Sequence, residues 1–280
     1  MRALIWVAAI VLVIIGVASV LARLWYPAEL TFRIEPARNA VMERFGRTDP
    51  LASQREAVLQ RFEGRYAAHP VVVYVHVIAG GVFLLLLPLQ FSASVRRRFI
   101  RLHRWSGRLL LVLAIPATIT GLWFGVLMPI SGAGEATVIA LVAAFFVVSL
   151  TRAFRAIRRG DVAAHREWMI RAASVAFGVS LVRIAGVVVD FALTPRGIPM
   201  TQLFVLAMWS GWLLTTIAAE LWIRRTRNVE APMRMKRAAA AAVLLLVLAF
   251  PAQANEKVLE TMDTTRLYEQ NGHSPSHCSG

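Results

Sequence analysis

"WMIRAASVAFGVSLVRIAGVVVDFAL", residues 168–193, decides the fold. The stretch is almost wholly apolar, with three charges, Arg171, Arg183 and Asp190. A run of about 20 such residues is what a helix needs to cross a bilayer. Inside hydrocarbon an open chain can satisfy its backbone N–H and C=O groups only as helix. Working outward, five more runs of this kind lie at 3–25, 70–92, 105–129, 137–157 and 200–223. The expected fold is an all-α, polytopic transmembrane helical bundle of six spans in the lipid bilayer. Composition agrees, since the 280 residues are 58% hydrophobic and only 17% charged, too apolar for an ordinary soluble domain.

The formal charge is +15, with Lys236 and Lys257 the only lysines among 31 basic residues. Nucleic acid is excluded as a partner, because the arginines sit in short links between apolar runs and form no single solvated face. Arg96, Arg97, Arg98, Arg101 and Arg104 crowd the link between spans two and three. Arg152, Arg155, Arg158, Arg159 and Arg166 crowd that between four and five, and Arg224, Arg225, Arg227 and Arg234 follow span six. The alternate links carry almost no positive charge: "SGAGEAT" has none and "TPRGIPM" only Arg196. By the positive-inside rule the basic links and the N-terminus face the cytoplasm.

The organisation that follows is a first span (1–25), an outer segment (26–69), a five-span core (70–223) and a basic cytoplasmic linker (224–237). The outer segment mixes seven arginines with six acidic residues. It is expected to form one helix from Pro36 to Gly46 and a second with Asp49 as N-cap and Pro50 at its first turn. Leu51, Val58, Leu59, Phe62 and Tyr66 recur on one face of the second, which should lie over the outer mouth of the bundle. Behind the basic pair Lys236 and Arg237, residues 238–254 have the short apolar core and Ala252-Gln253-Ala254 site of a signal peptide; they are expected to form a short seventh apolar helix, the alternative being the leader of a second secreted product joined to the first. Residues 255–280 then make a disordered outer tail, where His273, His277 and Cys278 offer a weak set of soft-metal ligands. The single cysteine excludes an internal disulfide.

Two similar motifs carry the candidate chemistry. "LHRWSGRLLL" places His103, Arg104 and Arg108 at one cytoplasmic helix entrance, and "AHREWMIRAA" places His165, Arg166 and Arg171 at another. Aligned, the motifs relate hairpin two–three to hairpin four–five by an axis along the membrane normal, so both imidazoles come to one depth. Two imidazoles on separate helices at equal depth are axial ligands for a b-type haem, with Arg104, Arg108 and Arg171 as propionate partners. Gly107 and Ala172 leave little bulk beside them. As a simple alternative, the Arg and Trp residues are interfacial anchors and each histidine bonds a neighbouring turn.

A second set lies in the outer half. His76 follows Pro70 by six residues, about 9 Å in, with Gly80 leaving room beside it. Arg183 lies about 15 Å deep, where a charged side chain costs at least ~2.5–3.5 kcal/mol, so it needs a partner or a wet cavity. Asp190, two turns on along the same face, is the expected partner. His76, Arg183 and Asp190 would then line a substrate-binding cavity; a bare Arg–Asp brace is the structural alternative.

At "HVIAGGVFLLLLPLQF", "HRWSGR" and "HREWMIRAASVAFGVSLVRI" the chain resembles a family of bacterial integral membrane proteins catalogued as domain of unknown function 2306. The resemblance covers about residues 70–223. It implies a multi-pass inner-membrane location, no established reaction, and recurring positions at His76, His103, Arg104, Gly107, Arg108, His165, Trp168, Arg171 and Arg183. The hairpin layout is also loosely similar to the haem-carrying cytochrome b561 group, without that group's full set of intramembrane histidine pairs. Three functions follow as expectations: a haem protein exchanging electrons with a quinol or redox partner, a transporter or small-molecule binder, or a structural or assembly protein. No P-loop, GxSxG, HExxH or Rossmann fingerprint is present.

Overall fold

The computed structural model describes residues 2–227, and every regular element in it is helical. The elements are α1 (Arg2–Trp25), α2 (Leu30–Arg44), α3 (Ala52–Ala68), α4 (Pro70–Phe91), α5 (Ala93–Arg98), α6 (Ile100–Leu122), α7 (Ala133–Arg158), α8 (Val162–Leu193) and α9 (Met200–Thr226). A π-helical turn, Trp123–Leu127, extends α6. Among the described residues six helices are long and apolar enough to cross a membrane, those over Leu4–Trp25, Pro70–Phe91, Ile100–Leu127, Ala133–Arg158, Val162–Arg196 and Met200–Thr226. The expected all-α six-span bundle is therefore what the described residues form. The expectations for 238–254 and 255–280, including His273, His277 and Cys278, lie outside the described residues.

Two spans begin earlier than hydropathy alone indicates. The Ser92 side chain accepts the Val95 N–H and starts α5, and after a break at Phe99 the chain re-enters helix at Ile100. The Asp161 carboxylate accepts the Ala164 N–H at 2.8 Å and starts α8. Both His-Arg-Trp motifs therefore sit on their helices instead of ahead of them.

Small residues set the packing, as expected where helices associate without a hydrophobic drive between them. A β-carbon on Gly178 of α8 would overlap the Trp212 indole of α9, whose Nε1–H donates to the Val175 carbonyl at 3.1 Å. Gly16 lets α1 cross α4 at Leu84 and α8 at Ser180, and Gly125 admits Ile139 of α7. The hairpins α4/α6 and α7/α8 pack as pairs, and Leu87, Leu110, Phe146, Leu150 and Ala172 fill the half of the bundle nearer the arginine-rich links. That half is called the basic end below, and the opposite one, where α2 and α3 lie, the capped end.

In the cap, α2 starts at Leu30 and takes Pro36 into its interior, correcting the expected start at Pro36. The first turn is pinned by Glu63, whose carboxylate accepts both the backbone N–H and the hydroxyl of Thr31, at 2.7 and 2.6 Å. Helix α3 starts at Ala52 instead of behind an Asp49 cap, because the Asp49 carboxylate closes a turn onto the Leu51 N–H and lies 3.0 Å from Arg38. Its Val58 and Leu59 are buried, as the apolar face requires.

Gly178→Ala should lower stability by about 1–3 kcal/mol through overpacking at Trp212. Gly64→Ala, on α3 with open space around it, should be neutral or slightly stabilising. Reversible unfolding in detergent micelles measures both.

Candidate functional site

The polar side chains of α8 define three levels. Nearest the basic end, Arg171 is buried and forks onto Glu220 of α9, with Nε to Oε1 at 2.6 Å and Nη2 to Oε2 at 3.1 Å. Its guanidinium also lies 4.5 Å from the Trp168 ring centre. Expected as a propionate partner, Arg171 instead joins α8 to α9.

At the capped end, Asp190 does not pair with Arg183. Arg38 of α2 donates from Nε at 2.8 Å, Arg55 of α3 from Nη1 at 2.7 Å, and Thr194 adds its hydroxyl at 2.8 Å. Glu35, 2.6 Å from Arg55, and Asp49, 3.0 Å from Arg38, complete a cluster of two guanidiniums and three carboxylates. Burial works against the Arg38 charge, but hydrogen-bonded Asp190 outweighs it, with Glu35 and Asp49, and its pKa is raised. Asp190 is thus the clamp on the cap. The correction has a plain geometric cause, since Asp190 stands two turns, about 10 Å, beyond Arg183 and within reach of the cap.

Between these levels is Arg183. Its Nη1 donates to the Val179 carbonyl one turn back, and no carboxylate pairs with it among the described residues. The side chain is exposed, although it lies ten residues inside the helix end at Leu193. Around it within electrostatic reach stand His76 of α4, Tyr66 of α3 and Arg23 of α1. No atom would meet a β-carbon on Gly80, one turn along α4 from His76, so Gly80 borders open space.

Each neighbour is fixed by its own contacts. His76 Nδ1 lies 3.0 Å from the Thr120 hydroxyl oxygen and 3.1 Å from the Ala117 carbonyl, while Gly121 makes room for the ring. The Thr120 hydroxyl donates to the Pro116 carbonyl at 2.6 Å, so the Nδ1 proton must be given by the histidine. The neutral ring therefore presents an unprotonated Nε2. Arg23 donates to the buried Glu63 at 2.6 Å and sits 4.6 Å from the centre of the Tyr66 ring. Burial raises the Tyr66 phenol above its ordinary value, against the opposing pull of Arg23 and Arg183, so it is a neutral hydroxyl at physiological pH. Sequence reading missed Tyr66, taken only as a packing residue, and Arg23, which lies in the last turn of α1.

The structure also brings the two motif histidines together. His103 has His165, Arg96 and Arg104 within electrostatic reach. His165 Nδ1 bonds the Ala153 carbonyl at 2.9 Å, leaving Nε2 unused. The surroundings do not fit a haem. A β-carbon on Gly107 would already stand 3.3 Å from Gln90 Oε1, because Gln90 fills that space and donates to Ser106 at 2.6 Å. Ala172 is closed into the apolar core, Arg171 is committed to Glu220, and Arg108 lies exposed with its guanidinium 5.2 Å from the Trp105 ring centre.

Over residues 73–223 the chain matches the family described as "Predicted membrane protein (DUF2306)". The chain belongs to this family. No curated protein and no solved structure gives a match.

Asp190→Asn should loosen the cap by about 1–3 kcal/mol, between an exposed and a fully buried ion pair, because two guanidiniums lose their shared counter-charge. Hydrogen exchange should rise in α2 and α3 and stay unchanged in α9. Uniform protection in both would refute the clamp.

Proposed function

We propose that this membrane protein binds, and by extension transports, a small anion in the space between α1, α4 and α8, with Arg183 as the fixed positive charge. One observation carries the reading: an accessible guanidinium deep in a span has no carboxylate partner among the described residues. Arginine is an expensive choice at that depth unless something charged meets it. Its remaining N–H groups form a fork suited to carboxylate or phosphate oxygens. The Tyr66 hydroxyl adds a neutral donor from the cap. His76 Nε2 accepts a proton from a ligand hydroxyl or, once protonated, donates to an anion. Asp190, first placed in this site, serves it only by holding the cap over it.

The orientation belongs to the same reading. The arginine-rich links and the N-terminus face the cytoplasm, and the cap faces the opposite side of the bacterial inner membrane. Anions then reach Arg183 from outside, past α3.

The test is a panel of acetate, succinate, sulfate and phosphate added to the purified protein in neutral lipid nanodiscs, with thermal stability as readout. At least one anion should stabilise the wild type. Arg183→Gln should weaken that effect about tenfold or more, the worth of a charge-assisted hydrogen bond. Arg108→Gln, equally basic but at the opposite end, should leave it intact. Equal responses of wild type and Arg183→Gln to every anion would end the proposal.

A further inference from the structure

A second convergence of positive charge lies at the basic end, away from Arg183. Arg96 of α5, His103 and Arg104 of α6, and His165 and Arg166 of α8 come within electrostatic reach in a chain of neighbours, with the carboxylate of Glu167 beside Arg166 at one end of it. Three of these groups are held in place. Arg96 donates to the Gln90 carbonyl at 3.0 Å, Arg166 to the Thr226 hydroxyl at 2.8 Å, and His165 to the Ala153 carbonyl. Among the described residues Arg96 and Arg104 make no ion pair. His103 Nδ1 is buried and has no hydrogen-bond partner.

Like charges fixed near one another repel, and the repulsion grows as water is withdrawn. Loose surface arginines would relieve it by swinging apart, whereas Arg96 and Arg166 are tethered by the bonds just given. Glu167 answers Arg166, so Arg96 and Arg104 are the members left open to an anion of more than one acceptor oxygen. The depth of the cluster identifies the kind. His103 and His165 are each three residues inside their helix starts, Ile100 and Val162, about 5 Å in, at the level where phospholipid headgroups lie. Basic pockets between helices at that level are sites for anionic headgroups.

We infer that the neck formed by α5, α6 and α8 binds a phosphate group, carried by an anionic lipid or free in solution, with Arg96 and Arg104 as its forks and the His103–His165 pair as its floor. Arginine is the side chain that meets phosphate oxygens two at a time. This site is separate from the one at Arg183, so the failure of either leaves the other standing.

The experiment uses the full chain in phosphatidylcholine nanodiscs, where phosphatidylglycerol is added in one arm and inorganic phosphate in the other. Thermal stability and lipid retention in native mass spectrometry are the readouts. Stabilisation by phosphatidylglycerol alone assigns the neck to a lipid headgroup, and stabilisation by inorganic phosphate assigns it to a soluble phosphate; either supports the site. The double variant Arg96→Gln/Arg104→Gln should weaken the effect about tenfold or more. Arg158→Gln/Arg159→Gln, which removes the same charge elsewhere at this end, should not. Equal loss in both doubles would mean general charge attraction and overturn the proposal, as would no response to either phosphate source. If the first double does not fold, Arg104→Lys takes its place, since it keeps the charge and drops the fork; unchanged phosphate affinity would again overturn the site. A Soret band in the purified protein, lost in His103→Ala, would show that the neck holds haem and overturn it too.

Discussion

Helix α8 carries three charged side chains where hydrocarbon offers them no water, and each must be met from the protein or from a ligand. Arg171 is met by Glu220 on the helix packed most closely against it, and Asp190 by two arginines reaching down from the cap. Arg183 is met by neither. The contrast matters more than the bare presence of an intramembrane arginine. The same helix shows twice that this chain can supply a counter-charge within the protein, and at Arg183 it supplies a tyrosine, an imidazole and a second arginine already held by Glu63.

The cap and the space below it are one construction. Glu63 is almost fully buried, and one carboxylate binds Arg23 of α1 while also fixing the first turn of α2 through Thr31. Tyr66, one turn further along α3, packs its ring against Phe62 and Phe124 while Arg23 stacks over it. The residues that dock the cap thus stand beside those around Arg183, and displacement of α3 changes the site directly. At the far rim, Arg65 donates to the Pro129 carbonyl at 2.8 Å and Glu135 gathers the Ile130 and Ser131 N–H groups, so the link before α7 is tied down as well.

The spans were legible because hydropathy over about 20 residues is a strong and local signal, and their pairing followed from short links. Helix starts were less so, since Ser92 and Asp161 caps override the hydropathy boundary. Single residues were readable where depth alone constrains them: Arg183 was identified as needing a partner or a wet space, and Gly80 as leaving room. What could not be read was partnership across long separations. Asp190 is 152 residues from Arg38 and 135 from Arg55, and nothing local in "VVVDFAL" distinguishes a carboxylate facing the cap from one facing Arg183. For the same reason the space beside Gly107 looked free until Gln90, on α4, filled it.

The repeated motif ends in two different environments. His165 is tied to Ala153 through Nδ1, whereas His103 leaves Nδ1 without a partner and instead has its backbone carbonyl engaged by Gln90 at 3.3 Å. The position in α7 aligned with His76 is Val138, fully buried. If the hairpins arose by duplication, the polar function at the capped end stayed with one copy while the basic end kept cations from both. A two-copy origin accounts for two similar helix starts, yet it does not account for the company they keep, since Glu167 stands by Arg166 while Arg96 and Arg104, near His103, make no ion pair among the described residues.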